Sequence, residues 1–140
     1  MFSALDISTS ALVAQRMRLN TVASNMANIS TTHNEAGEAV PFQPRFTVFQ
    51  TDTSVATPEG ASGVKVSSVE IVDQEPRWKY QPGHPDAVKE GPRQGWVAYP
   101  DVNMVEQSVD ALEATRAYEA NVGVIEITKS LGSTTLRILA

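Results

Sequence analysis

Hydrophobic positions change rhythm twice along the chain. In the first segment, residues 1–32, Leu5, Leu12, Leu19 and Met26 recur every seven residues, with Ser8, Gln15, Val22 and Ile29 three positions after each. This is a coiled-coil-like stripe, polar at its start and apolar at its end. Ser3 and Asp6 make a variant capping box, so the spacing predicts a helix from about Ala4 to Asn28, ended by Ser30, Thr31 and Thr32. The last segment, residues 103–140, opens on Asn103 with Glu106 three residues later, a cap signal of the same kind, and holds no proline. Met104, Ala111, Tyr118, Val122, Ile125, Leu136 and Leu139 trace one stripe there, and Val124, Ile127, Leu131 and Ile138 trace a second in its distal half. A helix of about 36 residues, roughly 54 Å long, then carries apolar surface on more than one side, more than a single partner helix covers.

Between these lies residues 33–102, with all eight prolines and six of the eight glycines. The pattern shifts to short runs of β-branched and aromatic residues bounded by Pro and Gly: Arg45–Gln50, Val64–Val72, Arg77–Tyr80 and Gln94–Tyr99. Three or four short antiparallel strands are expected, with a bulge at Ser67–Ser68 where the alternation of Val64 and Val66 loses phase, and a loop at Thr51–Gly63. Seven of the nine aromatics fall in this stretch, which suggests a small core of its own. The fold class is α+β: two long terminal helices and a small antiparallel β module.

Composition narrows the function. The 140 residues fit one domain with a modest core. Lys and Arg total 11 against 16 Asp and Glu, a net charge of −5, so there is no basic surplus for nucleic acid. The three segments carry +1, −4 and −2, leaving the terminal helices nearly neutral. Absence of cysteine excludes disulfides, thiolate metal sites and cysteine nucleophiles. No apolar run approaches the roughly 20 residues that cross a bilayer, and the start lacks the basic and apolar regions of a cleaved secretory signal.

Candidate chemistry is sparse. His84, within Tyr80–Asp86, stands two residues from a carboxylate and could form a metal or acid–base pair. The simpler expectation is a turn, with Pro82 and Pro85 setting backbone angles, Gly83 supplying a positive φ and Asp86 accepting backbone hydrogen bonds. The other histidine, His33, is distant in sequence, and no hydrolase, phosphate-binding or dinucleotide motif is present. Neither a catalytic residue nor a cofactor or metal ligand is assigned. Asn20, Asn25 and Asn28 disfavour helix; Asn25 and Asn28, at its apolar end, are expected to hydrogen-bond across a packed interface and fix register. Ala111, Ala114, Ala117, Ala120 and Gly123 give the last helix a small-residue run that permits close approach of neighbours, and Gly132 follows further on.

The stretch from Ser10 to Thr32, SALVAQRMRLNTVASNMANISTT, resembles the N-terminal motif of the bacterial flagellar axial proteins. The stretch from Tyr99 to Val122, YPDVNMVEQSVDALEATRAYEANV, is similar to their C-terminal signature. With the turn PGHPDA at residues 82–87 and the short middle, the likeness is to the proximal rod members, since hook and distal rod relatives have larger middle domains. The resemblance implies a non-enzymatic structural subunit that polymerises helically into a periplasmic drive shaft, with its terminal helices paired in an inner coiled-coil-like layer. It implies export through the flagellar type III apparatus without a cleaved signal. The implied partners are other copies of the chain, proximal and distal rod subunits, a rod-base adaptor, the export gate and the MS ring, without nucleic acid or membrane insertion. The assembly surface expected on this basis comprises Leu5, Leu12, Leu19, Val22, Asn25, Met26, Asn28 and Ile29 of the first helix. On the last helix it comprises Met104, Ala111, Tyr118, Val122, Ile125, Leu131, Leu136 and Leu139.

Two rival readings use the same residues. A soluble helical adaptor would bind one partner helix in a groove and give a complex of fixed stoichiometry. A small hydrolase or metal protein would centre on His84 and Asp86.

Overall fold

The cap signal at Asn103 starts the longest element: its side-chain oxygen accepts the Val105 N–H at 3.0 Å. From there the computed structural model, which describes residues 2–58 and 60–139, continues as one helix, α2, Met104–Leu139, of 36 residues. The first helix, α1, spans Phe2–Ala27. It begins before Ser3, so Ser3 lies within the first turn and the expected Ser3–Asp6 capping box is not formed. Between the helices are four strands, β1 (Arg45–Asp52), β2 (Gly63–Ile71), β3 (Arg77–Tyr80) and β4 (Trp96–Tyr99). A 3₁₀ turn at Thr53–Val55 follows β1, capped by the Asp52 carboxylate, which accepts from the Ser54 N–H at 3.1 Å and the Ser54 hydroxyl at 2.7 Å.

The strands do not join into one sheet. β1 pairs with β2 and β3 with β4, each antiparallel, as two separate ribbons. The expected bulge is present: Val48 faces Ser68 while Phe49 faces Val66, which leaves Ser67 unpaired. The middle is therefore not a self-contained β module. A two-stranded ribbon is marginal alone, and the β1–β2 ribbon leans on α1, where Ser10 Oγ accepts the Val64 N–H at 3.1 Å. A Cβ at Gly63 would stand 2.8 Å from that hydroxyl, so the close approach of ribbon and helix requires glycine there.

The two helices pack side by side, and their contacts fix direction. Arg18 meets Asp110 and Glu113, while Asn25, seven residues later, meets the earlier Gln107, so the pair is antiparallel. The same register sets Ala14 opposite Ala114, both buried. Small side chains at both positions are fully covered where the helices pack. Val97, Pro100 and Val102 form the second buried cluster, where β4 feeds into α2.

Candidate assembly interface

Each sequence-marked position has a definite place relative to this seam. At about 100° per residue, Ile125 and Tyr118 lie nearest buried Ala114 on the side of α2 turned toward α1, with Ala111, Met104 and Val122 toward its edge, and Met104 and Tyr118 remain 45% and 36% exposed. On α1, Val22 is buried and Leu5, Leu12, Leu19, Met26 and Ile29 are half-buried. Much of the α1 stripe is therefore already used within the chain, against α2 and the β1–β2 ribbon.

Asn25 is the polar centre of that arrangement and is 2% exposed. Its amide donates to the Arg45 carbonyl at 2.7 Å and to Gln107 Oε1 at 3.0 Å, and its carbonyl accepts the Arg45 N–H at 2.9 Å. One side chain thereby joins α1, β1 and α2, and any slip of register breaks several bonds at once. Asn28 behaves differently from expectation. Its amide donates to the Ser24 carbonyl within α1 and its oxygen accepts from Thr31, so it finishes the helix, and among the described residues it makes no bond across the seam. Position in the chain explains the split, since Asn25 lies inside α1, two residues before its end, whereas Asn28 is already in the exit.

Beyond the seam α2 continues alone. Counting from the Asn25–Gln107 pair, α1 reaches only to about residue 130, so roughly 14 Å of α2 projects past it. Leu136 and Leu139 belong to the α1-facing stripe yet are 70% and 79% exposed. Ile127, Leu131 and Ile138, on the other stripe, are exposed along with them. Sequence reading missed that this second stripe also continues toward the start of α2 as Val105, Val109 and Leu112, all exposed. The i, i+4, i+7 spacing was the signal, obscured by Arg116 and Glu119, which interrupt the face. At Gly123 an added Cβ would meet open space, so nothing within the chain demands glycine there.

The His84 segment is a turn. His84 N donates to the Gln81 carbonyl at 3.0 Å and Ala87 N to the His84 carbonyl at 3.1 Å. Two details differ from expectation: Gly83 has no positive φ, the role instead falling to Gly95 at +80°, and Asp86 N donates to His84 Nδ1 rather than the carboxylate accepting from backbone. At Gly95 a Cβ would stand 2.9 Å from the Tyr80 ring. The Asp86 carboxylate accepts from the Thr32 hydroxyl at 2.5 Å and has His33 and His84 beside it at 3.4 and 3.8 Å. Thr32's hydrogen bond, with the neighbouring histidines, holds the Asp86 carboxyl below the usual range against the opposing effect of its burial. Both histidines are thus gathered on one acid, which clasps the turn to the exit of α1. Among the described residues no group of three side chains is arranged to hold a metal ion, and no helix is long and apolar enough to cross a membrane.

The sequence is similar to those of known proteins. The family described as flagella basal body rod protein matches residues 5–33, and that described as flagellar basal body rod FlgEFG protein C-terminal matches residues 93–138. The first covers α1 and its exit, the second β4 and α2. Flagellar basal-body rod protein FlgC of Borreliella burgdorferi is 35% identical over 99% of this chain and 97% of its own length. That of Salmonella typhimurium is 39% identical over 95% of this chain and 93% of its own, and that of Bacillus subtilis 35% identical over 93% and 92%. With likeness of this strength along nearly the whole chain, and both matched regions falling on the helices that form the seam, the protein belongs to the flagellar basal-body rod protein FlgC family.

Proposed function

We propose that this chain, a structural subunit of the bacterial flagellar rod, polymerises helically through its terminal helices, forming a torque-transmitting shaft and the wall of the export channel within it. The observation that carries this reading is the projecting end of α2, where Leu131, Leu136, Ile138 and Leu139 are 61–79% exposed among the described residues. Apolar burial is worth about 25 cal/mol per Å², so a helix exposed on several sides is stabilised by several neighbours at once. A tube built by heterologous contacts whose rotation does not close supplies them.

In this reading the α1–α2 seam is the rigid body of the subunit. Its α1 residues, Leu5 to Ile29, and the α2 stripe from Met104 to Leu139 face neighbouring helices wherever the seam leaves them open. The partners are further copies, the other proximal and distal rod subunits, a rod-base adaptor, the export gate and the MS ring. The rod lies in the periplasm and its subunits leave by the flagellar type III route without a cleaved signal. The protein performs no catalysis, and His84 serves its turn.

Leu131→Asp tests the reading. The isolated chain should keep its far-ultraviolet dichroism and lose less than about 0.5 kcal/mol of stability, as surface substitutions do. Cells with this variant as their only copy should not complete a rod and should not swim. Swimming at the normal rate would remove the distal stripe from the assembly surface.

A further inference from the structure

Two exposed patches remain that the helix-to-helix contacts above do not use. The first is on the β3–β4 ribbon. Pairing of Trp78 with Ala98 and Tyr80 with Trp96 puts three aromatic rings on one face of the ribbon, opposite the face of fully buried Val97. Tyr80 is 61% exposed, with the Trp96 ring edge-on at 5.7 Å. The Arg93 guanidinium lies over the Trp78 ring at 4.5 Å. Among the described residues neither Arg93 nor Lys89 takes part in a salt bridge, while Lys79, paired with Val97, lies on the opposite face. The ribbon is an aromatic platform with positive charge to spare.

The second patch is the outward side of α2 at its start. Val105, Val109 and Leu112 form a ridge at i, i+4, i+7, with Val105 70% exposed. Glu106, Asp110 and Glu113 form a parallel ridge one residue on. Among the described residues one cation reaches these three carboxylates: Arg18 serves both Asp110 and Glu113. Arg116 and Glu119, one and two turns on, offset each other, so this face is apolar with its spare negative charge at Glu106, which among the described residues takes part in no salt bridge.

We propose that the aromatic face of the β3–β4 ribbon docks on the Val105–Leu112 face of α2 in a second copy of this chain. Both halves of the complementarity reside in one sequence, which singles out another copy as the occupant. Aromatic side chains and arginine are the residues favoured at interface centres. An arginine stacked on an aromatic ring keeps its charge directed outward while its flat face is already desolvated. Because the two patches differ, the contact is heterologous: each copy offers its ribbon to one neighbour and its helix to another, and the series continues without closing. The inference rests on the helical-assembly reading and adds to it a lateral contact between the middle ribbon of one copy and the terminal-helix layer of the next.

The cysteine-free chain makes the test direct. Full-length Tyr80→Cys and Val109→Cys, mixed and mildly oxidised, should yield the 80–109 disulfide as the dominant cross-link, identified by mass spectrometry of the digest. Sedimentation velocity supplies the second measurement: Arg93→Glu and Glu106→Arg should each weaken self-association about fivefold, and the two together should restore it. Self-association without the 80–109 link and indifferent to both charge changes overturns the docking while leaving helical assembly standing. A chain that stays monomeric at every concentration overturns both.

Discussion

The two ends of α2 carry the same kind of stripe and meet opposite fates. Between Gln107 and Ile125 the stripe faces α1, holds buried Ala114 and is pinned by Asn25 and Arg18. Leu136 and Leu139, equally apolar and on the same stripe, project past the end of α1 and face water. Residue type does not distinguish the regions; the length of the partner does. A helix of 26 residues cannot cover one of 36, and the difference is what a neighbouring subunit can use.

Substitutions at the two ends should separate accordingly. The largest effect is expected from Asn25→Ala, which strands the backbone groups of Arg45 and the Gln107 amide: a loss of about 3 kcal/mol, read as a lower urea midpoint with unchanged slope. Next is Ala114→Leu, which forces a branched side chain into a fully covered position of the seam and should cost about 2 kcal/mol. The same urea titration on Leu131→Asp should barely move, and an equal loss there would erase the distinction between the ends. Gln15→Met should go the other way. Gln15 Oε1 is buried without a hydrogen-bond partner among the described residues, so an apolar side chain of similar volume should stabilise by about 1 kcal/mol.

The smallest effect concerns the clasp at the exit of α1. The Asp86 carboxyl is held below its ordinary value of 3.8, so folding is aided by its ionised form. That contribution is complete above the ordinary value and is lost as pH falls from there through the folded value. Thermal unfolding across about pH 2 to 6 should show this acid limb, and Asp86→Asn should flatten it. An unchanged limb in the variant would assign the acid sensitivity to other carboxylates.

Much of this was legible along the chain. Asn103, the absence of proline after Pro100 and the two stripes marked α2 to within a residue, because a cap and a 3.6-residue period are local properties. The bulge at Ser67 was legible for the same reason, as a break in a period of two. The rest depended on partners far apart in sequence. Asn25 and Asn28 are the same amino acid three residues apart, yet only the first meets β1 and α2. His33 and His84 seem unrelated until the fold gathers both on Asp86. The Val105–Leu112 ridge was hidden by the polar residues that follow it, and only its exposure on the folded helix reveals it as a surface.

Sequence alone thus determined the three-part division, the helices and strands, the absence of cysteine chemistry and the likeness to rod proteins, since each is written in composition, period or motif. Tertiary structure decided which stripe pairs within the chain, that the strands form two ribbons instead of one module, and how far α2 outruns α1. Those outcomes depend on the relative lengths and register of elements that meet only after folding, when close packing and paired hydrogen bonds choose one alignment from several that local preference allows.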